Sequence, residues 1–258
     1  MRPILFSALG FSVASSPVFC GLAALAAYLY FERRRDRLAL SELDFWGLIL
    51  CLAVGVFAAS VLFYAAAYGR GWTGSLSYLW SHHEPVGGSF LGTYLGAALA
   101  AWAYCRARGL RFAPVGDCLG AATLLGLSIM KLGCLFNGCC YGRPTTLAWG
   151  LVFTGRCGVP QALRGIPLQP TQICESLGSL AIFLFLDRVL LPRIERGRLR
   201  PGSALAASAG FYAVLRFFVD FLRGTGPGRY SLPGLTLAQT LALPAMLLSA
   251  AWLRLRDE

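Results

Sequence analysis

The feature that most constrains this chain is a series of long apolar stretches, alternate ones closed by a short run of arginines. The stretches recur from about residue 12 to about residue 253. Several approach or exceed the roughly 18 apolar residues that cross a bilayer. The arginine runs are Arg33, Arg34, Arg35 and Arg37; Arg106, Arg108 and Arg111; Arg193, Arg196, Arg198 and Arg200; and Arg254 with Arg256. Basic clusters at the ends of apolar segments are the positive-inside signature of membrane proteins. Composition agrees: 57% of the 258 residues are hydrophobic and 14% charged, whereas soluble domains carry about a quarter charged. The expected class is an all-α polytopic membrane protein.

Seven transmembrane segments fit best, at about 12–31, 45–68, 90–104, 116–136, 172–191, 203–221 and 235–253. The arginine clusters follow the first, third, fifth and seventh, so they share one side, the cytoplasm. This places the N-terminus outside and the C-terminus inside. Residues 1–258 read as one transmembrane domain, with a small extracytoplasmic cap over about 137–170 in which "LAWGLVF" reads as a strand. "RPILFSALGFSVASSPVFC" reads as retained membrane structure, because "SPVFC" is a poor cleavage site. The formal charge of +11 is accounted for by the arginine clusters. No basic surface remains for nucleic acid.

Three stretches place charge where charge is costly. "LSIMKLGCLFNGCCYGRPTT" holds Lys131, the only lysine among 23 basic residues, a few residues before the outer end of the fourth segment. A charge at the centre of a membrane helix costs about 2.5–3.5 kcal/mol even on insertion scales. Either the lysine snorkels to the interface or it serves a site with the Asn137 and Arg143 that follow. In "FYAVLRFFVDFLRG", Tyr212, Arg216, Asp220 and Arg223 recur at helical spacing and share a face. They form either an internal ladder or a cationic stripe that needs an external anion. A lipid phosphate suits that role, since the guanidinium fork holds phosphate oxygens bidentately. On this reading Lys131 and Arg216 together form a positive pocket for one phosphate. "QPTQICESL" contributes Gln172 and Glu175, each either a helix-start residue or a site residue. Asp117 reads as a cap or first-turn acid of the fourth segment, and Asp187 and Arg188 as interfacial residues. Nine cysteines in irregular spacing do not read as a disulfide framework. Cys134, Cys139 and Cys140 have the spacing C-x4-C-C, which matches no tetrahedral zinc pattern, so no metal site is expected.

Taken together, "KLGCLFNGCCYGRPT", "QPTQICESL", "FYAVLRFFVDFLRG", "LTLAQTLALPAMLL" and "GSFLGTYLGAALA" resemble, in order and spacing, the motifs of the prolipoprotein diacylglyceryl transferase family. The resemblance covers most of the chain from Gly87 onward. It implies transfer of the diacylglyceryl group of phosphatidylglycerol, or a related anionic glycerolipid, to the thiol of a lipobox cysteine in a preprolipoprotein. Glycerol phosphate is released and no cofactor is needed. It also implies a multi-pass protein of the bacterial cytoplasmic (inner) membrane. By resemblance the catalytic residues are Lys131, Arg216, Tyr212 and, from the preceding loop, His83. Lys131 stands where the family has arginine. The headgroup- and acceptor-binding residues are Asn137, Gly138, Gly142, Arg143, Arg223, Asp220, Glu175 and Gln239. Cys134 and Cys139 replace an asparagine and a glutamate of the family motif, and Asp220 replaces a glutamate. Gly87 occupies the place of the family's histidine. The alternatives are a glycerolipid-binding protein of the same fold without catalysis, and a thiol-redox or metal membrane protein.

Overall fold

A computed structural model describes residues 4–8, 11–68, 90–155, 157–223, 230–232 and 234–254. In chain order the elements are β1 (Ile4–Ala8), β2 (Phe11–Ala14), α1 (Ser15–Glu32), α2 (Glu42–Tyr68), α3 (Phe90–Arg108), α4 (Phe112–Asn137), β3 (Leu151–Val152), β4 (Pro167–Leu168), α5 (Thr171–Phe185), α6 (Leu191–Glu195), α7 (Ser203–Leu222), β5 (Tyr230–Leu232), β6 (Leu235–Thr236) and α8 (Leu237–Arg254). A π-turn, Leu186–Leu190, joins α5 to α6. The fold is mostly helical. Among the described residues, four helical stretches are long and apolar enough to cross a membrane: Glu42–Ala59, Phe112–Asn137, Ser203–Leu222 and Leu237–Arg254. The other apolar stretches of the sequence fall on α1, α3 and α5 with its continuation. Leu50, Phe57, Leu99, Phe218, Leu247 and Leu248 leave large apolar surfaces uncovered, as helix faces that meet hydrocarbon do.

The chain divides into two compact units. Arg33–Gly116 holds α2 and α3. These two helices touch backbone to backbone through small residues: a Cβ on Gly96 would lie 2.6 Å from the Gly55 carbonyl oxygen. Close approach through glycine and alanine is the usual way apolar helices gain contact without a hydrophobic driving force. Ser41 caps α2, accepting from the Asp44 N–H at 3.1 Å, and Asp44 pairs with Arg108 of α3 at 2.8 Å.

The second unit is Met1–Glu32 with Asp117–Glu258. Its apolar core joins Ala121 and Leu124 of α4, Phe183 of α5, Leu186 and Leu191, and Ala204 and Ala207 of α7. Buried serines tie helix to helix. The Ser176 hydroxyl donates to the Ser128 carbonyl at 2.7 Å, and Ser249 to the Ala206 carbonyl at 2.6 Å. Phe19 of α1 stacks on Phe136 of α4 with ring centroids 5.3 Å apart.

Three local readings change. The helix expected from residue 12 begins at Ser15, and an antiparallel pair β1–β2 precedes it. The strand expected over "LAWGLVF" shrinks to Leu151–Val152, paired with Pro167–Leu168. The Gly150 N–H closes a turn onto the Leu147 carbonyl at 3.0 Å, which removes the first half of that stretch from extended backbone. Asp117 is not a cap of its own helix, because α4 starts earlier, at Phe112. Its buried carboxylate caps α7 instead, accepting from the Gly202 N–H at 2.6 Å and the Leu205 N–H at 2.8 Å. Between α4 and α5, Phe153, Val159 and Leu168 bury a small core of their own.

Candidate functional site

The site grows from the junction of α4 and α5. Pro170 ends the preceding loop and α5 starts at Thr171. The Thr171 hydroxyl donates to the Cys140 carbonyl at 2.6 Å, and the Gln172 amide to the Cys139 carbonyl at 2.8 Å. The first turn of α5 is thus pinned to the turn that follows α4. Four residues beyond Thr171 on the same helix face comes Glu175. It is wholly buried.

A lone buried carboxylate would cost several kcal/mol, so it must be paired. Glu175 has three cationic partners. Its Oε2 meets the Lys131 ammonium of α4. Its Oε1 accepts from Arg216 Nη1 of α7 at 3.1 Å and from Arg223 Nη2, just past α7, at 3.1 Å. Arg216 also pairs with Asp220 through Nη2 at 2.9 Å. Asp220 Oδ2 accepts the Thr236 hydroxyl. The Thr236 N–H donates to Gln239 Oε1 at 3.1 Å, while Gln239 Nε2 donates to the Phe217 carbonyl at 3.3 Å. One connected network therefore runs from α4 through α5 and α7 to the start of α8. Among the described residues, three cations against two carboxylates leave one positive charge unbalanced. Arg223 also keeps a buried Nε–H without a hydrogen-bond partner among the described residues.

Several sequence expectations meet here. Lys131 is 7% exposed and faces the bundle interior, which excludes the snorkelling alternative. Lys131 and Arg216 do come together, but as partners of one carboxylate rather than as an open pair of repelling cations. The expected ladder on α7 forms only in part. Arg216 and Asp220 pair, but α7 ends at Leu222, and Arg223 is extended backbone (φ −80°, ψ 143°) bridged to Gly142. Tyr212 sits within electrostatic reach of Glu175, Lys131, Arg216 and Arg223. Gln239 is buried in the network's far end.

The remaining candidates shape the turn after α4. Asn137 closes that helix and its carbonyl accepts the Gly158 N–H at 2.8 Å. Gly138 adopts φ +75°, a left-handed conformation that suits glycine. Gly142 has no room for a side chain: a Cβ would lie 2.6 Å from the Gln169 carbonyl oxygen and 2.7 Å from that of Leu222. The Arg143 N–H donates to the Leu222 carbonyl at 2.8 Å. Its side chain is exposed and does not join the ionic cluster; Arg143 instead lines an open depression of about 720 Å³ with Thr145, Leu147, Ile166 and Gln169. His83 lies outside the described residues, as does Gly87.

Thr171 and Thr236 were not among the expected site residues, and Gln172 was read as either a helix-start or a site residue; all three hold the others in place. One sequence signal pointed to the centre of the network. Glu175 is an isolated acid in an apolar helix, and the excess cations of "MKLG" and "VLRFFVDFLRG" need such a partner. All nine cysteines are free thiols.

The fold and this network define a class: helical proteins with membrane-crossing helices that bury an ionic centre inside the bundle. The chain belongs to the prolipoprotein diacylglyceryl transferase family, whose pattern matches residues 3–255. It is 27% identical to a phosphatidylglycerol–prolipoprotein diacylglyceryl transferase of Clostridium tetani, over 94% of this chain and 93% of that protein. It is 32% identical to the protein of the same name from Geobacter sulfurreducens, over 88% of this chain and 84% of that one. With one from Cereibacter sphaeroides it shares 35% identity, over 78% of this chain and 72% of that one. Membership makes the chain an enzyme, a diacylglyceryl transferase.

Proposed function

We propose that this chain transfers the diacylglyceryl group of phosphatidylglycerol to the thiol of a lipobox cysteine in a preprolipoprotein. The acceptor sulfur bonds to the glycerol carbon as that carbon's bond to the phosphate oxygen breaks. The bonding electrons leave with glycerol phosphate, and the thiol proton passes to a base. The observation that carries this reading is the surplus charge of the Glu175 network together with an Arg223 Nε–H that has no partner, both among the described residues. A phosphate oxygen offers the acceptor which that donor lacks and the negative charge which the network lacks.

Lys131, Arg216 and Arg223 stabilise charge developing on the leaving phosphate. Tyr212 stands beside them as a hydroxyl donor. Glu175 and Asp220 orient the guanidinium groups, and Gln239 holds the start of α8 against Phe217. Asn137, Gly138, Gly142 and Arg143 border the acceptor side, where the depression at Arg143 receives the peptide. His83 takes the thiol proton, in place of the histidine for which this chain has Gly87. The apolar stretches make seven spans in the bacterial inner membrane, N-terminus outside and C-terminus inside. Residues 137–170 form a small cap on the outer face of a single transmembrane domain.

The test supplies purified protein with phosphatidylglycerol vesicles and a lipobox peptide. It reads glycerol phosphate release and the mass gain of the peptide. Release by the parent, and its loss in Lys131→Gln and Arg216→Ala, support the assignment. The same assay on His83→Ala examines the base. Gly87 in place of the family histidine favours a second reading, a glycerolipid-binding protein without transfer. Stabilisation by phosphatidylglycerol with no glycerol phosphate released would select it.

A further inference from the structure

Beside the ionic network lie three sulfurs that the transfer reaction does not use. Cys134 is in the last turn of α4, and Cys139 and Cys140 are in the turn that follows. Their Sγ atoms all lie within 4.8 Å of one another. Local backbone geometry brings such closely spaced residues together. Gly138 adopts φ +75° and Cys140 φ +58°, which puts two left-handed residues within three. Left-handed backbone is uncommon for a residue such as cysteine and persists where its surroundings enforce it. Here the enforcement is visible: Thr171 and Gln172, both buried, hold the Cys140 and Cys139 carbonyls at 2.6 and 2.8 Å. The three sulfurs are therefore set in place before any ligand arrives.

We propose that Cys134, Cys139 and Cys140 form a trigonal thiolate site for a soft monovalent cation, Cu(I). A metal–sulfur bond of about 2.3 Å places three sulfurs around a planar ion about 4 Å apart, inside the observed limit. Soft thiolate ligands select Cu(I) over harder cations. Structural zinc closes a tetrahedron of four protein ligands. Among the described residues no fourth histidine, cysteine, aspartate or glutamate joins the group. Cys157 packs against Gly138 but stands outside it. Each thiol releases its proton as it binds, so Cu(I) with three thiolates carries two negative charges, and Lys131 and Arg223, both within electrostatic reach of Cys140, offset part of that charge. Each of the three cysteines is only partly covered, which leaves the ion a way in.

The experiment titrates the reduced full-length protein in detergent, without oxygen, with Cu(I) held by a competing copper chelator. X-ray absorption reads the ligands. Expected are a single bound copper with three sulfur neighbours, its loss in each of Cys134→Ser, Cys139→Ser and Cys140→Ser, and its retention in Cys157→Ser. As a check that needs no variant to fold, the parent is alkylated with and without Cu(I) and analysed by mass spectrometry. Copper should protect Cys134, Cys139 and Cys140 and leave Cys20 open to reaction. The proposal falls if the parent binds no copper, if the triple serine variant binds it as well as the parent, or if the ligands include nitrogen or oxygen. Protection of other cysteines in place of these three would also overturn it.

Discussion

Glu175 is the residue on which most of the site depends. It is 0% exposed and shared by Lys131, Arg216 and Arg223. Removing one member of a buried ionic group leaves its partners buried and uncompensated, at about 3–5 kcal/mol. Glu175→Gln should therefore lower thermal stability in detergent by an amount in that range. Added phosphatidylglycerol should restore part of the loss, because a bound anion substitutes for the missing charge and binding to the folded form alone stabilises it. A variant as stable as the parent would mean that the network contributes no net stability. Arg216 tests the same site from the ligand's side. Its loss removes a charge-assisted contact worth about 1.5–3 kcal/mol. Arg216→Ala should weaken binding of phosphatidylglycerol vesicles accordingly, and Arg216→Lys should spare only part of the affinity, since the ammonium lacks the fork. Lys131→Arg should stay active, because it restores the longer cation of the resembling motif.

At the scale of elements, the turn after α4 and the end of α7 are stitched together where Gly142 lies. A methyl group there meets the Gln169 and Leu222 carbonyls at 2.6 and 2.7 Å. Backbone cannot retreat as a flexible side chain can, so overpacking of about 1–3 kcal/mol is expected. Gly142→Ala should lower the denaturation midpoint and, by displacing Arg223 across its bridge, reduce transfer activity with it. Gly21 in α1 makes the control: a Cβ there meets nothing within 4 Å among the described residues and the backbone is helical. Alanine favours a helix over glycine by about 0.8–1 kcal/mol. Gly21→Ala should leave stability unchanged or raise it, and a loss comparable to that of Gly142→Ala would show that the space around these glycines does not govern their substitution.

For the whole molecule, the arginine clusters set an orientation that the charge pattern alone argues. A C-terminal reporter that functions only in the cytoplasm should be active, and its counterpart that functions only outside should be silent. The opposite pattern would reverse the proposed topology. The clusters do not depend on the ionic network, so Lys131→Gln and Glu175→Gln should keep the same orientation in that assay even where activity is lost.

The sequence by itself determined the helical membrane class, the positions of the apolar helices within a few residues, and the motifs by which the family is recognised. These are local properties: hydropathy over one helix length, charge clusters, and spacing within one turn or two. It also marked Lys131, Arg216 and Arg223 as cations in costly places, since a charge in an apolar run is visible without knowing the fold. Only the tertiary structure decided what answers them. Glu175 lies 41 residues from Arg216 and 48 from Arg223 along the chain, so an isolated acid in its apolar helix does not by itself name its partners. Asp117 looked like a cap for α4 and proved to cap α7, because a carboxylate binds whichever unpaired N–H groups the packing of helices brings to it. The three cysteines could be dismissed from their spacing, yet two left-handed residues bring their sulfurs together. Pairing of charges and convergence of ligands are set by distance in space, which sequence separation does not encode.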